Sequence, residues 1–492
     1  MNRRTFISAA SFGLGSRFGL AAAAEPVAPL VGVLEDSPRE RLPRELVRLI
    51  REGLRYEDLL AALSVAAARN VQPYPDVGFK YHVLMMLRAV DSTTVHLSPA
   101  ERWLPIVWAA SHFKDAQAQE RAVSGWRMPA RVSAVESDVR AARTALITAL
   151  ERWDRDAADV AIVNYARVAE PAEVFSILFP YGARDLRAIG HKAIEVSNAH
   201  YLITRLGAGP HAEPILRSTV AALQNSDEDS DPAKHDFASD RPWRNSLERL
   251  PGIPRSWRQG QRDSAAMRAE FRAALYRVAA EEAGGVVVDL LRLSASPEAL
   301  WQVLFDTAAE LLLLRPGIVS LHAQTTANAL HYAYRTAADE ATQQMMLLQC
   351  AAFVAMFREV VNAGGARLNL PHMQSLPLAR PASQAHEEIF ADLTAGRRLQ
   401  AARKCLGYLR GGGDAAGLIA ALRRNLVYGA DEAHDYKFTE ALLENYNQLT
   451  NAGRTAHSAW RQRLLSAGMA YFKAPVKHPD AIVSETLELL RA

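Results

Sequence analysis

The sequence predicts an all-α protein, and three observations carry that expectation. Ala, Leu, Arg and Glu dominate, and apolar residues recur three and four apart, the spacing of one helical face. Alternating apolar and polar runs are few, and no Asn-Gly or Asp-Gly hairpin signal occurs. Helix-start signatures also punctuate the chain, each a capping residue or acid followed by Pro at the first helical position.

Taken in order, the chain opens MNRRTFISAASFGLGSRFGLAAAAEP. Arg3-Arg4 followed by Thr5, Phe6 and Ile7 is a twin-arginine export pattern, and Ala21–Ala24 supplies a small-residue cleavage region. An ordinary secretory signal is the alternative reading. Residues 1–24 are therefore set apart from the fold, and 25–492 are read as one all-α domain exported to the periplasm. No later 18-residue run reads as apolar enough to span a bilayer, so no stable membrane insertion is expected. The formal charge of the whole chain is +3, and the signal carries Arg3, Arg4 and Arg17 with no acid, which leaves the mature chain neutral. A neutral chain has no global field for nucleic acid or anionic lipid. The expected partners are the twin-arginine machinery and a small-molecule substrate.

Leu59–Leu63 (LLAAL) begins the helical pattern. Ser98-Pro99-Ala100-Glu101 reads as a capping box that opens a helix through Trp103, Ile106 and Trp108. Pro171 after Glu170, and Pro297 after Ser296, open two further helices. The polar stretch 225–243 reads as an exposed loop, as do Gly252–Gly260 and Gly364–Pro381. Gly411-Gly412-Gly413-Asp414 reads as a helix terminator before the last helical unit. The two cysteines, Cys350 and Cys405, make no disulfide framework, and Cys350 in LLLQCAAF reads as a packing thiol.

Within this pattern one arrangement recurs four times. The apolar segments Leu59–Leu63, Val174–Leu178, Leu300–Leu304 and Leu418–Leu422 are each followed by a histidine: His82, His191, His322 and His434. The intervals, counted from the last Leu, are 19, 13, 18 and 12 residues. This alternation suggests about four quasi-repeated helical units around one central site, each returning one imidazole to a shared metal. The second and third units also share a His-x8-His-Tyr spacing, His191 with His200-Tyr201 and His322 with His331-Tyr332. Nine residues is two and a half helical turns, so the two histidines of a pair face opposite sides. The first of each is taken as the ligand because the other two units supply only that one.

Four neutral imidazoles suit Fe, Zn, Cu or Ni but leave the ion's charge unbalanced. Lys437 shares a helix face with His434. Buried, its amine loses a proton readily and can take up CO2 as a carbamate, an anionic ligand. A surface or salt-bridged lysine fits the same spacing, and Glu195 and Asp435 are alternative anions. The ligand set is thus His82, His191, His322, His434 and Lys437. His331, His200, Glu195 and His211 are candidates to orient it. His112, His235, His372, His386, His457 and His478 lack support from the repeat and read as structural or solvated.

At these residues the chain resembles the questin-oxidase-like family. HDYKFTEALL (His434–Leu443) is similar to that family's C-terminal His-x-x-Lys helix, and AWRQRLLSAGMAYF to the stretch after it. HVLMMLRA from His82 resembles an early His-Leu-Leu helix, and ALHYAYRTAADE the central His-containing helix. The likeness spans four short helices. A fuller resemblance is to twin-arginine-exported bacterial proteins with GFKYH-like, GHKAI-like, NALHYAY-like and HDYK-like segments. The family resemblance implies an oxygenase acting on polycyclic aromatic ketones, with non-haem iron held by histidines and a modified lysine. It carries over to His82, His434 and Lys437. Its central histidine falls on His331 rather than His322, and its NH-type motif on Gly190-His191. The expected function is therefore an exported metal-dependent oxidoreductase, a non-haem iron oxygenase, with Zn the alternative ion. The competing reading is a non-catalytic helical-repeat scaffold, whose histidines would lie scattered along a superhelix.

Overall fold

The computed structural model describes residues 27–73, 82–130, 138–224, 234–361, 368–448 and 455–492. The export pattern, residues 225–233 of the polar loop, and the GFKY stretch before His82 lie outside them. Among the described residues the architecture is all-α, and the only β feature is one isolated bridge between Arg262 and Ala295. The buried apolar side chains form one connected cluster running from Val27 to Val483.

Three helices make the centre: His191–Leu206, Ile318–Thr336 and Ala433–Gln448. The Ile318–Thr336 helix touches both of the others, and Pro297–Leu314 and Glu340–Val361 cover its remaining sides. Its residues Ser320–Ala333 are consequently buried without a break. Ala433–Leu443 are buried in the same way. A helix enclosed all round has no solvent face to relieve its polar groups, so those without a hydrogen-bond partner among the described residues, such as Gln324 on the first helix and Lys437 on the second, are costly. The short helices His82–Met85 and Leu87–Thr94 pack into the gap between His191–Leu206 and Ala433–Gln448.

The apolar segment of each proposed unit lies on the helix immediately before the histidine-bearing one. These helices are Tyr56–Asn70, Pro171–Ala183, Pro297–Leu314 and Ala415–Gly429. The units are not equal copies, however. The histidine-bearing helices have 4, 16, 19 and 16 residues, and the histidine stands at a different position in several of them.

Several helix starts follow the sequence. The Ser296 hydroxyl accepts from the Ala299 N–H with Pro297 behind it. Glu170 and Glu173 form a capping box ahead of Pro171–Ala183. Asp414 caps Ala415–Gly429 after the left-handed Gly412.

Others differ. Ser98 and Glu101 do bond to each other, at 2.7 Å, but within a run of turns. The helix starts at Leu104, where Pro105 takes the first turn. The 225–243 loop ends earlier than expected, because Pro242 sits in the first turn of the helix Arg241–Arg249. Trp257, expected in an exposed loop, is 1% exposed and donates its indole N–H to Glu340 at 2.5 Å.

Glu340–Val361 also corrects the expectation that no run is apolar enough to cross a bilayer. An 18-residue stretch of this helix has a mean hydropathy of 1.4, long and apolar enough by composition to cross a bilayer, and 67% of that stretch is buried inside the protein. Cys350 on this helix and Cys405 are both free and buried.

Candidate metal centre

Four chain-distant helices deliver one imidazole each to a single point. The ligand nitrogens of His82, His191, His322 and His434 all lie within 4.8 Å of one another. His82 Nε2 and His191 Nε2 are 2.8 Å apart, and His322 Nε2 and His191 Nε2 are 3.1 Å apart. Nitrogens held about 2.0–2.1 Å from a shared ion stand roughly 3–4 Å from each other, so the cluster is close to, and slightly wider than, one coordination shell. The rings form a closed circuit, with centroids 5.0 Å (82–191), 4.5 Å (191–322), 5.1 Å (322–434) and 4.3 Å (434–82) apart. The scatter that a repeat scaffold would give its histidines is not what the fold produces.

In His191, His322 and His434 the opposite edge of the ring explains why Nε2 faces inward. His191 Nδ1–H donates to Ala188 O at 2.6 Å, and His322 Nδ1–H donates to Ile318 O at 2.7 Å. A carbonyl only accepts, so the proton of each neutral ring must sit on Nδ1 and each Nε2 must present a lone pair. His434 Nδ1 donates to the Glu432 carboxylate at 3.1 Å, and Glu432 also accepts from the Tyr471 hydroxyl at 3.0 Å.

The His191 and His322 lone pairs, which face each other at 3.1 Å, repel unless a positive charge lies between them. A proton is a poor candidate for that charge. Burial pushes the pKa of His82, His191 and His322 well below the usual imidazole value, and neighbouring cations, Lys437 among them, add to the effect. Burial lowers His434 as well, against the pull of Glu432. A metal ion satisfies all four lone pairs at once, and the inward Nε2 of His434 has no hydrogen-bond partner among the described residues.

The backbone that presents His191 is unusual. Ala188 (φ 52°), Ile189 (φ 47°) and Gly190 (φ 86°) form a left-handed turn immediately before the helix His191–Leu206. For Ala and Ile this conformation costs about 1–2 kcal/mol each. Gly190 is required on two grounds: its positive φ, and a Cβ there would stand 2.0 Å from Thr326 Oγ1.

Lys437 lies close to all four imidazoles, and Glu195 lies close enough to Lys437 to feel its charge. Both are buried, and neither Lys437 Nζ nor Glu195 Oε1 has a hydrogen-bond partner among the described residues. Burial lowers the Lys437 pKa to about 7, with Glu195 and Glu432 opposing. Burial raises Glu195 to about 8, with Lys437 and a hydrogen bond from Thr219 opposing. Each feels the other's charge, yet no ion pair joins them among the described residues. Asp435, the other anion considered, points away: it accepts from the Asp431 and Glu432 N–H groups at 2.9 and 3.3 Å and pairs with Lys473.

The remaining sequence candidates sit elsewhere. His331 packs against Trp301, Phe305 and Tyr334, so it is His322 and not His331 that joins the cluster. His200 bonds the Tyr332 hydroxyl at 2.8 Å and packs on Phe175 and Phe179. His211 bonds Gly207 O at 2.8 Å within its own loop. Sequence reasoning missed Glu432, whose only signal was an acid two residues before a candidate ligand. No family model, curated protein or solved structure matches the chain.

Proposed function

We propose that the protein is an exported metal-dependent oxidoreductase, a non-haem iron oxygenase of the questin-oxidase-like type, with Zn the alternative ion. The observation that supports this best is the convergence of four buried imidazoles, three of which have their Nδ1–H committed elsewhere. His82, His191, His322 and His434 would hold the ion, and Glu432 would orient His434 through its Nδ1. When bound, iron supplies an open position for O2 or a substrate oxygen.

Lys437 is the fifth ligand in this reading. With its pKa near 7, the amine is substantially neutral at physiological pH. It can then add CO2 with loss of one proton. The resulting carbamate gives the negative charge that four neutral imidazoles lack. The substrate is a small molecule, aromatic or polycyclic if the family likeness holds. The Arg3-Arg4 pattern supports export after folding, with the ion already in place.

The test is the metal content of protein isolated from its native host or from a twin-arginine-competent one. About one iron per chain is expected, falling to near zero in His322→Ala. The iron form should consume O2 in the presence of a reductant, whereas a zinc form should not. A preparation that lacks transition metal, and whose thermal midpoint ignores added Fe(II) and Zn(II), would overturn the proposal.

A further inference from the structure

Behind His191, on the side away from the ring cluster, lies a buried ion pair that the metal centre does not use. Asp185 and Lys192 are each 1% exposed. Lys192 Nζ donates to Asp185 Oδ2 at 2.8 Å, while the Arg187 N–H donates to Asp185 Oδ1 at 3.0 Å. One carboxylate therefore grips the chain on both sides of the left-handed turn 188–190, at its entry and one residue beyond His191. The surroundings hold the grip in place. The Lys192 ammonium stands 4.7 Å from the centre of the Trp153 ring, whose other cationic neighbours are Arg184 and Arg187. Arg187 is tied in turn to Asp240 at 2.6 Å. Across the turn, Thr326 Oγ1 donates to Ile189 O at 3.3 Å.

Taken alone this arrangement is unfavourable. A turn with two non-glycine residues at positive φ tends to relax, and a fully buried ion pair is costly to desolvate. Both features persist at the one place where His191 must turn its Nε2 inward and bond its Nδ1–H back to Ala188 O. We propose that Asp185 and Lys192 form a clasp that holds the left-handed turn closed and thereby positions His191 in the cluster. They are positioning residues that touch neither the ion nor the substrate. This inference rests on the reading of the four histidines as metal ligands.

The test compares wild-type full-length protein with Asp185→Ala/Lys192→Met, Lys192→Arg and His191→Ala. Removing both charges together avoids leaving one of them buried alone. The first readout needs no metal: hydrogen exchange of the peptide spanning 186–193 in the apoprotein. The second is the visible spectrum and affinity of Co(II) as the probe ion. The double variant is expected to exchange at least tenfold faster in that peptide, with global unfolding little changed. It should bind Co(II) at least tenfold more weakly, with a spectrum shifted toward that of His191→Ala. Lys192→Arg, which keeps the charge, should restore most of both.

Unchanged exchange in the double variant overturns the clasp, whatever happens to the metal. Faster exchange with an unaltered Co(II) spectrum, while His191→Ala alters it, overturns the positioning role. If wild type and His191→Ala alike take up no Co(II), the metal reading itself fails, and the role assigned here fails with it. That result is told apart because the exchange comparison still reads the clasp. Should the double variant unfold, Asp185→Asn/Lys192→Met, which removes both charges yet can still accept the Arg187 N–H through the Asn amide oxygen, takes its place in the same comparison.

Discussion

Lys437 and Glu195 change protonation on folding in opposite directions, and the metal-free protein should show it. An unfolded lysine keeps its proton to about pH 10.5, whereas buried Lys437 gives it up near pH 7. Between these values the unfolded chain binds more protons, so the lysine contribution to stability rises with pH, and its cost is fully felt below pH 7. Glu195, raised to about 8, acts the other way: its contribution is fully present below pH 4.5 and is lost as pH rises through 8. Lys437→Met should therefore stabilise the apoprotein at pH 6 by on the order of 1–3 kcal/mol, and by much less at pH 10. The same variant should weaken metal binding about tenfold or more. Urea unfolding at the two pH values checks the first statement, and equal effects at both would contradict it. His322 and His331 make a second contrast on one helix. His322→Ala should abolish metal uptake while relieving lone-pair repulsion in the apoprotein. His331→Ala should leave metal content unchanged and cost about 2–4 kcal/mol, because it empties an aromatic contact with Trp301 and Phe305. Metal analysis and thermal melts of both variants separate ligand from core residue. The four clustered histidines were legible as residues because one imidazole recurred at related intervals. Helical periodicity showed only that the two members of each His-x8-His pair face opposite sides; the first was chosen because the other two units supply only that one. The orienting groups were not, since a sequence does not show which atoms lie behind a ring: His200, His331 and His211 found other partners, and Glu432 took the role.

Helix order was the most readable level of this chain. Each apolar segment lies on the helix preceding its histidine, and Ser296, Glu170 and Asp414 all open helices as their residue types require. The Ser98 box shows the limit of such signals. Its side chains bond as expected, yet the five residues 99–103 stay in turns and the helix begins at Leu104, with Pro105 in its first turn. The turn before His191 was less legible still. Ala188 and Ile189 are ordinary helix or strand residues, and nothing in AIGHKAI announces three consecutive left-handed conformations. Only Gly190 hints at them. Gly190→Ala should accordingly act on the element rather than the residue. The new Cβ meets Thr326 Oγ1 at 2.0 Å and Cγ2 at 2.6 Å in a conformation already unfavourable for Ala. Loss of about 2–4 kcal/mol is expected, with metal uptake reduced because His191 is displaced. Adding Thr326→Ala removes the two closest contacts but not the backbone strain, so it should restore part of the stability and little of the metal binding. Full recovery of both by the double variant would show that the left-handed turn is dispensable.

Across the whole molecule, the cluster links elements from His82 to His434, so an ion there cross-braces helices that the chain itself connects only through long excursions. An ion that binds the folded state alone stabilises it by about 2.7 kcal/mol at a hundredfold excess over Kd, and more for tighter sites. A chelator should therefore lower the thermal midpoint by several degrees without changing helix content at room temperature. Acid gives the sharper test. Burial holds His82, His191 and His322 neutral to well below the ordinary imidazole value and lowers His434 in the same direction, whereas the same rings in the unfolded chain take up protons near pH 6.5. Stability thus falls as pH drops below 6.5, and the enclosed rings cannot be protonated one by one while the bundle stays closed. Metal release and loss of ellipticity should share one midpoint, at about pH 5 or below. Tracking bound metal and far-ultraviolet dichroism across the same titration decides the matter. Release near pH 6 with the helices intact would mean that protons reach the imidazoles through a solvent path, and that the centre is an open site rather than one sealed by the fold.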